Sequence, residues 1–211
     1  RVVDSLVTGF QHNLQPGVEF THGDLAEAAV ANAAVQGVDY VLHQAAIPSV
    51  PRSVKNPRES HRANVDGMLN ILLAARDAQV KRLVYASSSA VYGDDPDLPK
   101  VEDKVGNVLS PYAATKKFNE IYADVFARTY GFQTIGLRYF NVYGPNESHK
   151  GRMASVAFHA YHQFKAEGRV KLFVGSGGYG DGEQRRDFIH VDDVVDAYVR
   201  AATKGDGLLI N

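Results

Sequence analysis

A tyrosine and a lysine four residues apart are the side chains in this sequence best suited to acid and base chemistry. Tyr112 and Lys116 follow Pro111, a residue that favours the first turn of a helix. Residues four apart share a helix face, so the phenol and the ammonium should lie side by side. A nearby cation lowers the pKa of a phenol, and a phenolate can remove a proton from a substrate hydroxyl. The pair predicts a general base, although the same spacing also occurs by chance in many helices.

Strands that alternate with helices must position this pair. The expected strands are 1–4, 18–22, 38–43, 81–86, 134–138, 170–173, 188–190 and 208–211. The expected helices are about 26–36, 58–80, 112–129, 151–167 and from 192 onward, with loops at 51–57, 94–107 and 139–145. This alternation predicts an α/β fold with a doubly wound parallel sheet, which binds ligands at the carboxyl ends of its strands. The residues expected just past such ends are Asp4, Asp24, Ala45, Ser88 and Tyr139.

Composition narrows the class of protein. The 211 residues suffice for one large domain, or one and a part, and the net charge of -1 gives no electrostatic case for nucleic acid or an anionic membrane. The absence of cysteine excludes disulfides, thiolate metal sites and a cysteine nucleophile. No apolar run approaches the roughly 18 residues of a membrane span, and no signal peptide opens the sequence. We therefore expect a cytoplasmic protein.

Three further motifs are set aside. The G-x-G-x-x-G spacing at 175–180 precedes a charged run at 181–186 instead of an apolar helix, so it predicts a flexible loop rather than a dinucleotide fingerprint. His159 and His162 have no third ligand at a suitable spacing, so no metal site is expected. The serines at 87–89 lack the G-x-S-x-G elbow of a hydrolase. A hydroxyl that bonds the same substrate oxygen as the tyrosine explains them better.

Two charged residues allow two interpretations each. Asp4 is either a strand-end acid that binds an adenosine ribose or an ordinary turn acid. Arg186, directly before an acid and a strand, is either a diphosphate ligand or a solvated charge.

Four ordered motifs together resemble those of the extended short-chain dehydrogenase/reductase family of NAD-dependent nucleotide-sugar epimerases and dehydratases. They are Ser87-Ser88-Ser89-Ala90-Val91-Tyr92-Gly93, Ser110-Pro111-Tyr112-x-x-x-Lys116, Arg138-Tyr139-Phe140-Asn141-Val142-Tyr143-Gly144-Pro145 and Arg186-Asp187-Phe188-Ile189-His190-Val191-Asp192-Asp193. Within the family, residues 4–141 look most like UDP-glucose and UDP-N-acetylglucosamine 4-epimerases, chiefly through 43–46 and 98–103. The resemblance covers essentially the whole chain.

The resemblance implies a set of site residues. NAD would be held by Asp4, Asp24, Leu25, Ala45, Ala46, Asn64, Tyr112, Lys116 and Tyr139. The catalytic residues would be Ser88, Tyr112 and Lys116. The substrate would be bound by Ser88, Ser89, Asn141, Arg186 and, as a possible second base, Lys150.

The resemblance also implies the domain organisation. Residues 1–145 would be a Rossmann-like NAD-binding domain that begins at the family's second strand, without the first strand and its G-x-x-G-x-x-G turn. Without that pyrophosphate cradle, the chain as written should bind NAD poorly. Residues 146–211 would be part of a substrate-binding region, with a return segment at about 186–204. We expect both ends to be truncated relative to the family.

The resemblance implies an isomerase of carbohydrate metabolism, namely an NAD-dependent UDP-sugar 4-epimerase that acts through a 4-keto intermediate. It also implies a homodimer formed by helices 58–80 and 112–129. Residues 149–159 instead resemble ADP-glycero-manno-heptose 6-epimerases, where Lys150 would be a second acid/base; otherwise it is a solvated loop lysine. A non-catalytic nucleotide-sugar-binding homologue is the third alternative. A 4,6-dehydratase is disfavoured because Ser89-Ala90 stands where that chemistry needs Asp-Glu.

Overall fold

The computed structural model of the chain describes residues 1–204 and the backbone of residues 209–210. The chain divides into two units, one of residues 1–139 with 198–211 and the other of residues 140–197. The sequence predicts a first boundary at 145 and a return at about 186–204, and the observed division falls at 139/140 and 197/198.

All strand pairs in the described chain are parallel. The strands are β1 (Val2–Asp4), β2 (Phe20–His22), β3 (Tyr40–His43), β4 (Arg82–Ala86), β5 (Thr134–Leu137), β6 (Asn141–Tyr143), β7 (Phe188–His190) and β8 (Leu209–Ile210). They form a β1-β2 sheet, a β3-β4-β5-β8 sheet and a β6-β7 sheet. The predicted strand 208–211 thus matches β8, and its end residues Leu208 and Asn211 lie outside the described part of the chain.

The first unit has the strand order of a Rossmann-like sheet. Doubly wound proteins have the strand order 3-2-1-4-5-6. In this order, β2 and β1 occupy places 3 and 2, and β3, β4 and β5 occupy places 4, 5 and 6. None of the described strands takes place 1, and β1-β2 and β3-β4-β5-β8 form separate sheets.

Helices connect the strands. They are α1 (Ala28–Ala34), α2 (Val50–Lys55), α3 (Pro57–His61), α4 (Gly67–Asp77), α5 (Pro111–Tyr130), α6 (Val156–Glu167) and α7 (Val191–Thr203). A π-helical segment at Arg62–Asp66 joins α3 to α4, and 3-10 turns lie at Gln11–Asn13, Ser89–Tyr92 and Ser148–Met153. None of the helices within the described residues is long and apolar enough to cross a membrane.

The central strand β4 carries apolar side chains to both faces of its sheet. Leu83 and Tyr85 belong to a core cluster that includes residues of α1, α4 and α5. Val84 belongs to a second cluster, which includes Tyr198 and Ala201 of α7. Because successive strand residues point to opposite faces, the two clusters put helices on both sides of the sheet, as the sequence predicts.

Helix α5, which carries the tyrosine and the lysine, has local signals at both ends. The Ser110 hydroxyl accepts a hydrogen bond from the Ala113 N–H at 3.1 Å, and Pro111 occupies the first turn. Gly131 ends the helix with a φ of 65°, a left-handed conformation that favours glycine. The predicted helix 112–129 therefore differs from the observed one by a single residue at each end.

Two predictions between β3 and β4 are wrong. The segment 51–57, predicted as a loop because prolines bound it, contains most of α2. Ser49 caps this helix by accepting from the Arg52 N–H at 3.2 Å, and Pro51 lies in the first turn, where its missing N–H has no cost. The single helix predicted at 58–80 is three consecutive segments, because Arg62–Asp66 is wound as a π-helix.

Two predictions in the second unit are also wrong. The predicted loop 139–145 contains strand β6, whose partner β7 lies more than 40 residues later, so no local pattern reveals it. The predicted strand 170–173 has no strand structure and leaves Phe173 and Val174 exposed.

Candidate active site

Ser88 and Tyr112 lie near each other just past the carboxyl end of β4. Ser88 has an extended backbone and caps the following 3-10 turn, with its Oγ accepting from the Ala90 N–H at 3.2 Å. Its hydroxyl also interacts with the Tyr112 phenol, and this interaction tends to lower the pKa of Tyr112. Both side chains are half-buried.

Lys116 lies one turn further along α5 and is almost completely buried. Its Nζ donates to the Ala86 carbonyl oxygen at 2.7 Å, and the residue is only 3% exposed. Burial disfavours the ammonium and lowers the pKa of Lys116 to about 8. The structure therefore brings the three predicted catalytic residues to one place, where β4 ends beside the first two turns of α5.

The phenol itself differs from the sequence-based expectation. The sequence predicts a lowered pKa for Tyr112, but burial raises it, and the hydrogen bond from Ser88 offsets this only in part. The reason is that the low-dielectric surroundings penalise the phenolate as well as the ammonium.

The buried ammonium fits a ligand with hydroxyl acceptors. Lys116 has three N–H donors, and the Ala86 carbonyl is the one hydrogen-bond acceptor found for them in the described part of the chain. His43 is also buried, and its Nε2 has no partner among the described residues. Burial, with the charge of Lys116, lowers the pKa of His43 to about 3, so the imidazole is neutral. A ribose would supply the acceptors that this buried site lacks.

Two carboxylates expected to contact a nucleotide lie at the ends of β1 and β2. Asp4 Oδ1 accepts from the Leu6 N–H at 2.6 Å, which leaves Oδ2 as an acceptor for ribose hydroxyls. Asp24 accepts from the Ala26 N–H at 2.9 Å and from Arg62 at 2.5 Å. Burial tends to raise the pKa of Asp24, but these two hydrogen bonds and the guanidinium charge outweigh it and lower the pKa. Asp24 is therefore an anionic acceptor at neutral pH.

The remaining predicted cofactor positions also lie in the first unit. Leu25 follows Asp24 and accepts from the Asn70 side chain at 3.0 Å through its carbonyl oxygen. Ala45 is exposed and Ala46 half-buried, just beyond β3. The Tyr139 hydroxyl accepts from Gln44 at 3.2 Å, and burial raises the pKa of Tyr139 to about 12. These positions fit the edge of a sheet at which nucleotides bind.

Asn64, also a predicted cofactor contact, bonds the protein with its side-chain amide. It is completely buried, and its Oδ1 accepts from the Ile47 N–H at 2.7 Å. Its Nδ2 donates to Thr115 Oγ1 at 3.0 Å and to the Ile47 carbonyl at 3.4 Å. The amide therefore fastens the loop after β3 to α5 at Ile47, the residue that follows the predicted cofactor contacts Ala45 and Ala46.

The predicted substrate residues outside the β4 end lie in the second unit. Asn141 is exposed, and its Nδ2 donates to the Asp187 carbonyl at 2.8 Å, next to the β6-β7 pair. Arg186 is exposed and donates to the Arg185 carbonyl at 2.7 Å. Lys150 is exposed in the 3-10 turn Ser148–Met153. Ser89, by contrast, belongs to the first unit, where its N–H donates to the Tyr139 carbonyl at 2.9 Å.

A buried carboxylate orders the loop that carries Lys150. Glu147 is 5% exposed and accepts from the Gly144 N–H at 3.0 Å and from both the N–H and the hydroxyl of Ser155, at 2.6 and 2.9 Å. Burial tends to raise the pKa of Glu147, but these hydrogen bonds and the charge of Lys150 lower it. A charged Glu147 thus connects the end of β6 to the start of α6.

Sequence reasoning missed a buried ion pair directly behind the site. Arg138 and Glu120 are joined by two hydrogen bonds of 2.8 and 2.9 Å, and their side chains are 1% and 4% exposed. Arg138 also donates to the Glu102 carbonyl at 2.9 Å and lies over the Tyr92 ring, 4.8 Å from its centroid. The spacing of Glu120 four residues after Lys116 was the available signal, because it puts both on one face of α5.

Comparison with known proteins agrees with this geometry. The model of the NAD dependent epimerase/dehydratase family matches residues 1–210. A putative UDP-glucose 4-epimerase of Methanocaldococcus jannaschii is 35% identical over 202 residues, which are 95% of this chain and 64% of that protein. The UDP-glucose 4-epimerase of Lactobacillus helveticus is 33% identical over 208 residues, covering 95% of this chain and 63% of its own length. The chain thus spans just under two thirds of these relatives.

Solved structures show the same similarity. A UDP-N-acetylglucosamine 4-epimerase from Methanobrevibacter ruminantium, in complex with UDP-N-acetylmuramic acid, superposes with a TM-score of 0.88 at 34% identity, covering 99% of this chain and 66% of that one. A UDP-glucose 4-epimerase from Thermus thermophilus in complex with NAD gives a TM-score of 0.83 at 33% identity, covering 98% and 67%. By its sequence and its fold, the chain belongs to the NAD-dependent epimerase/dehydratase family.

Proposed function

We propose that the protein containing this chain is an NAD-dependent 4-epimerase of a UDP-sugar. The observation that carries the proposal is the convergence of Ser88 and Tyr112 at the end of β4, with Lys116 one helical turn further along α5, where its buried Nζ bonds the Ala86 carbonyl. The relatives named as UDP-glucose and UDP-N-acetylglucosamine 4-epimerases support this choice of substrate class.

The chain's own residues supply proton transfer and orientation. Tyr112, as phenolate, removes the proton of the sugar C4 hydroxyl, and Ser88 holds that hydroxyl in place by hydrogen bonding. Lys116, one helical turn from Tyr112, would donate to the nicotinamide ribose through the N–H groups that do not bond the Ala86 carbonyl. Bound NAD would supply removal of hydride from C4 and its return to the other face of the transient 4-keto sugar.

The residues around the cofactor position contribute binding. Asp4 accepts from the adenosine ribose hydroxyls, and Asp24, Leu25, Ala45 and Ala46 line the adenine side. Tyr139, Ser89, Asn141 and Arg186 are further proposed contacts, of which Arg186 would bind the diphosphate. The net reaction is redox-neutral, so NAD is recycled within each turnover.

We also infer a homodimer. Helix α5 exposes Phe118, Ile121 and Val125, each between 39% and 49% accessible, at spacings that place them on one helix face. An apolar stripe of this kind on a helix is typical of a surface covered by a second subunit. A cytoplasmic location remains a prediction from the sequence.

A proton NMR time course of the anomeric region, with the full-length protein, tests the proposal. UDP-glucose, UDP-N-acetylglucosamine and ADP-glycero-manno-heptose are followed in separate tubes with NAD. A new galacto-type anomeric signal from a UDP-sugar is the expected result. Conversion of the heptose alone would overturn the proposal and make Lys150 the second base. No conversion in any tube, with nucleotide still bound, would identify a non-catalytic homologue.

A further inference from the structure

The exit of β4 contacts α5 through three consecutive residues, each of which meets a different turn of the helix. The partners are four residues apart along α5, at positions 112, 116 and 120. The three contacts are Ser88 with Tyr112, Ala86 O with Lys116 Nζ at 2.7 Å, and Ser87 Oγ with Glu120 Oε1 at 2.6 Å.

The third contact is the one that contains no proposed catalytic residue. Ser87 is 3% exposed and Glu120 is 5% exposed, and their hydrogen bond joins two protein side chains in the interior. Glu120 is itself fixed, because the guanidinium of Arg138 binds both of its oxygens. Ser87 is fixed through its backbone, whose N–H donates to the Leu137 carbonyl at 2.8 Å.

We propose that Ser87 is a positioning residue, which sets the distance between Ser88 and Tyr112 by anchoring the β4 exit to the Arg138–Glu120 ion pair. Ser88 is the next residue in the chain, so a displacement of Ser87 moves it directly. Tyr112 lies two helical turns before Glu120 on the same rigid helix. A fixed Glu120 therefore also fixes the position of Tyr112 relative to the β4 exit. The role in turnover depends on the proposed epimerase activity, whereas the positioning itself does not.

Removal of the Ser87 hydroxyl should break the hydrogen bond between Ser87 and Glu120 and leave the other contacts between the β4 exit and α5 in place. Glu120 would keep both hydrogen bonds to Arg138, so the helix and the core stay intact. The strand exit would lose its side-chain hydrogen bond with Glu120, and Ser88 would move away from the Tyr112 phenol or approach it for a smaller fraction of the time. A misplacement of this kind lowers the rate of the proton transfer more than it changes substrate binding.

The experiment measures the influence of Ser88 on the Tyr112 phenol, independently of catalysis. The full-length protein is labelled with carbon-13 at the tyrosine Cζ, and the Tyr112 signal is assigned from its loss in Tyr112→Phe. At neutral pH the chemical shift of this carbon reports whether its hydroxyl oxygen accepts from Ser88. Wild type and Ser88→Ala give the two reference positions.

Ser87→Ala should move the Tyr112 signal toward the Ser88→Ala position, and the double variant should coincide with Ser88→Ala alone. Thr134→Val is the matched control, because its buried hydroxyl also bonds α5, at 3.3 Å to the Ala123 carbonyl, but far from the strand exit. That control should lower stability and leave the Tyr112 signal unchanged. A Ser87→Ala signal at the wild-type position, or a shift equal to that of Thr134→Val, would overturn the proposal.

Turnover gives a second readout where the enzyme is active. Ser87→Ala should lower kcat by about tenfold with KM nearly unchanged, and should have no further effect in a Ser88→Ala background. An equal additional loss in that background would show that Ser87 does not act through Ser88. If wild type converts no sugar, the proposed function fails while the NMR shift still decides the positioning role.

Discussion

The guanidinium of Arg138 holds both carboxylate oxygens of Glu120, at 2.8 and 2.9 Å, in a place that water does not reach. The pKa of Arg138 is raised: its own burial works against the cation, and the hydrogen bonds and charge of Glu120 outweigh that cost. A buried pair of this kind is sensitive to the loss of one partner, because the other charge is then left without compensation.

Glu120→Gln is therefore expected to lower the free energy of unfolding by about 3 kcal/mol or more. Asp124→Asn is the matched control on the same helix, since Asp124 accepts two hydrogen bonds from Arg128 but both side chains are largely exposed. The control should give no measurable change, because solvent screens exposed pairs. Urea unfolding followed by circular dichroism measures both, and equal effects in the two variants would show that burial is not the deciding factor.

The lowered pKa of Lys116 predicts that the free energy of unfolding depends on pH in the alkaline range. Burial lowers its pKa to about 8 in the folded state, against about 10.5 in an unfolded chain, so the unfolded state binds the proton more tightly. Below pH 8 the folded protein carries the full cost of a buried ammonium, about 3 kcal/mol, and this cost disappears as the pH rises through 10.5.

Lys116→Met removes that titration while keeping a side chain of similar length. The variant should be more stable than wild type at pH 7, and the difference should shrink steadily between pH 8 and pH 10.5. Denaturant unfolding of both proteins across this range measures it. Because the other alkaline groups are common to both proteins, a difference that does not vary with pH would contradict the lowered pKa of Lys116.

Tyr112→Phe should reduce turnover by at least about 100-fold, because the variant has no oxygen to accept the substrate proton. The fold should be retained, because the backbone bonds of Tyr112 do not use the phenol. Its N–H donates to Ser53 Oγ, and its carbonyl accepts from the Thr115 hydroxyl. Tyr130→Phe, at the end of the same helix, is a matched control whose ring contact with Arg76 does not need the hydroxyl. An active Tyr112→Phe enzyme would exclude the proposed mechanism.

Ile121→Glu tests the inferred dimer. The substitution places a charge in the middle of the exposed apolar face of α5 and should convert a dimer to a monomer at micromolar concentration, because an unpaired charge is costly to bury at an interface. Val199→Glu, on the exposed side of α7, is the control that should leave the mass unchanged. Analytical ultracentrifugation of the full-length protein gives the mass, and a monomeric wild type would contradict the inference.

Local signals made the first unit largely predictable from the sequence. Helix α5 was predictable to within a residue because Ser110, Pro111 and Gly131 each act on the chain immediately beside them. Strand β4 was equally clear, since a short apolar run between polar residues favours a buried strand.

Features that depend on distant partners could not be predicted. Asn64 looks like any polar residue in a helix, and only the folded chain shows that its amide bonds the backbone of Ile47. The β6-β7 pair joins segments more than 40 residues apart, and the raised pKa of Tyr112 depends on burial by residues from several elements. The residue types of the site could thus be predicted from the sequence, but the shifts in their pKa values could not.

Asn64→Ala tests whether a fully buried amide prepares the cofactor site from a distance. The variant leaves the Ile47 N–H without its partner and frees the loop that carries Ala45 and Ala46, so NAD should bind about tenfold more weakly. The free energy of unfolding should fall by about 2 kcal/mol. Asn119→Ala is the control, because Asn119 is buried on α5 but its Oδ1 has no partner within the described residues. Calorimetry of the full-length proteins measures NAD affinity, and equal losses in the two variants would mean that Asn64 stabilises the core without shaping the loop.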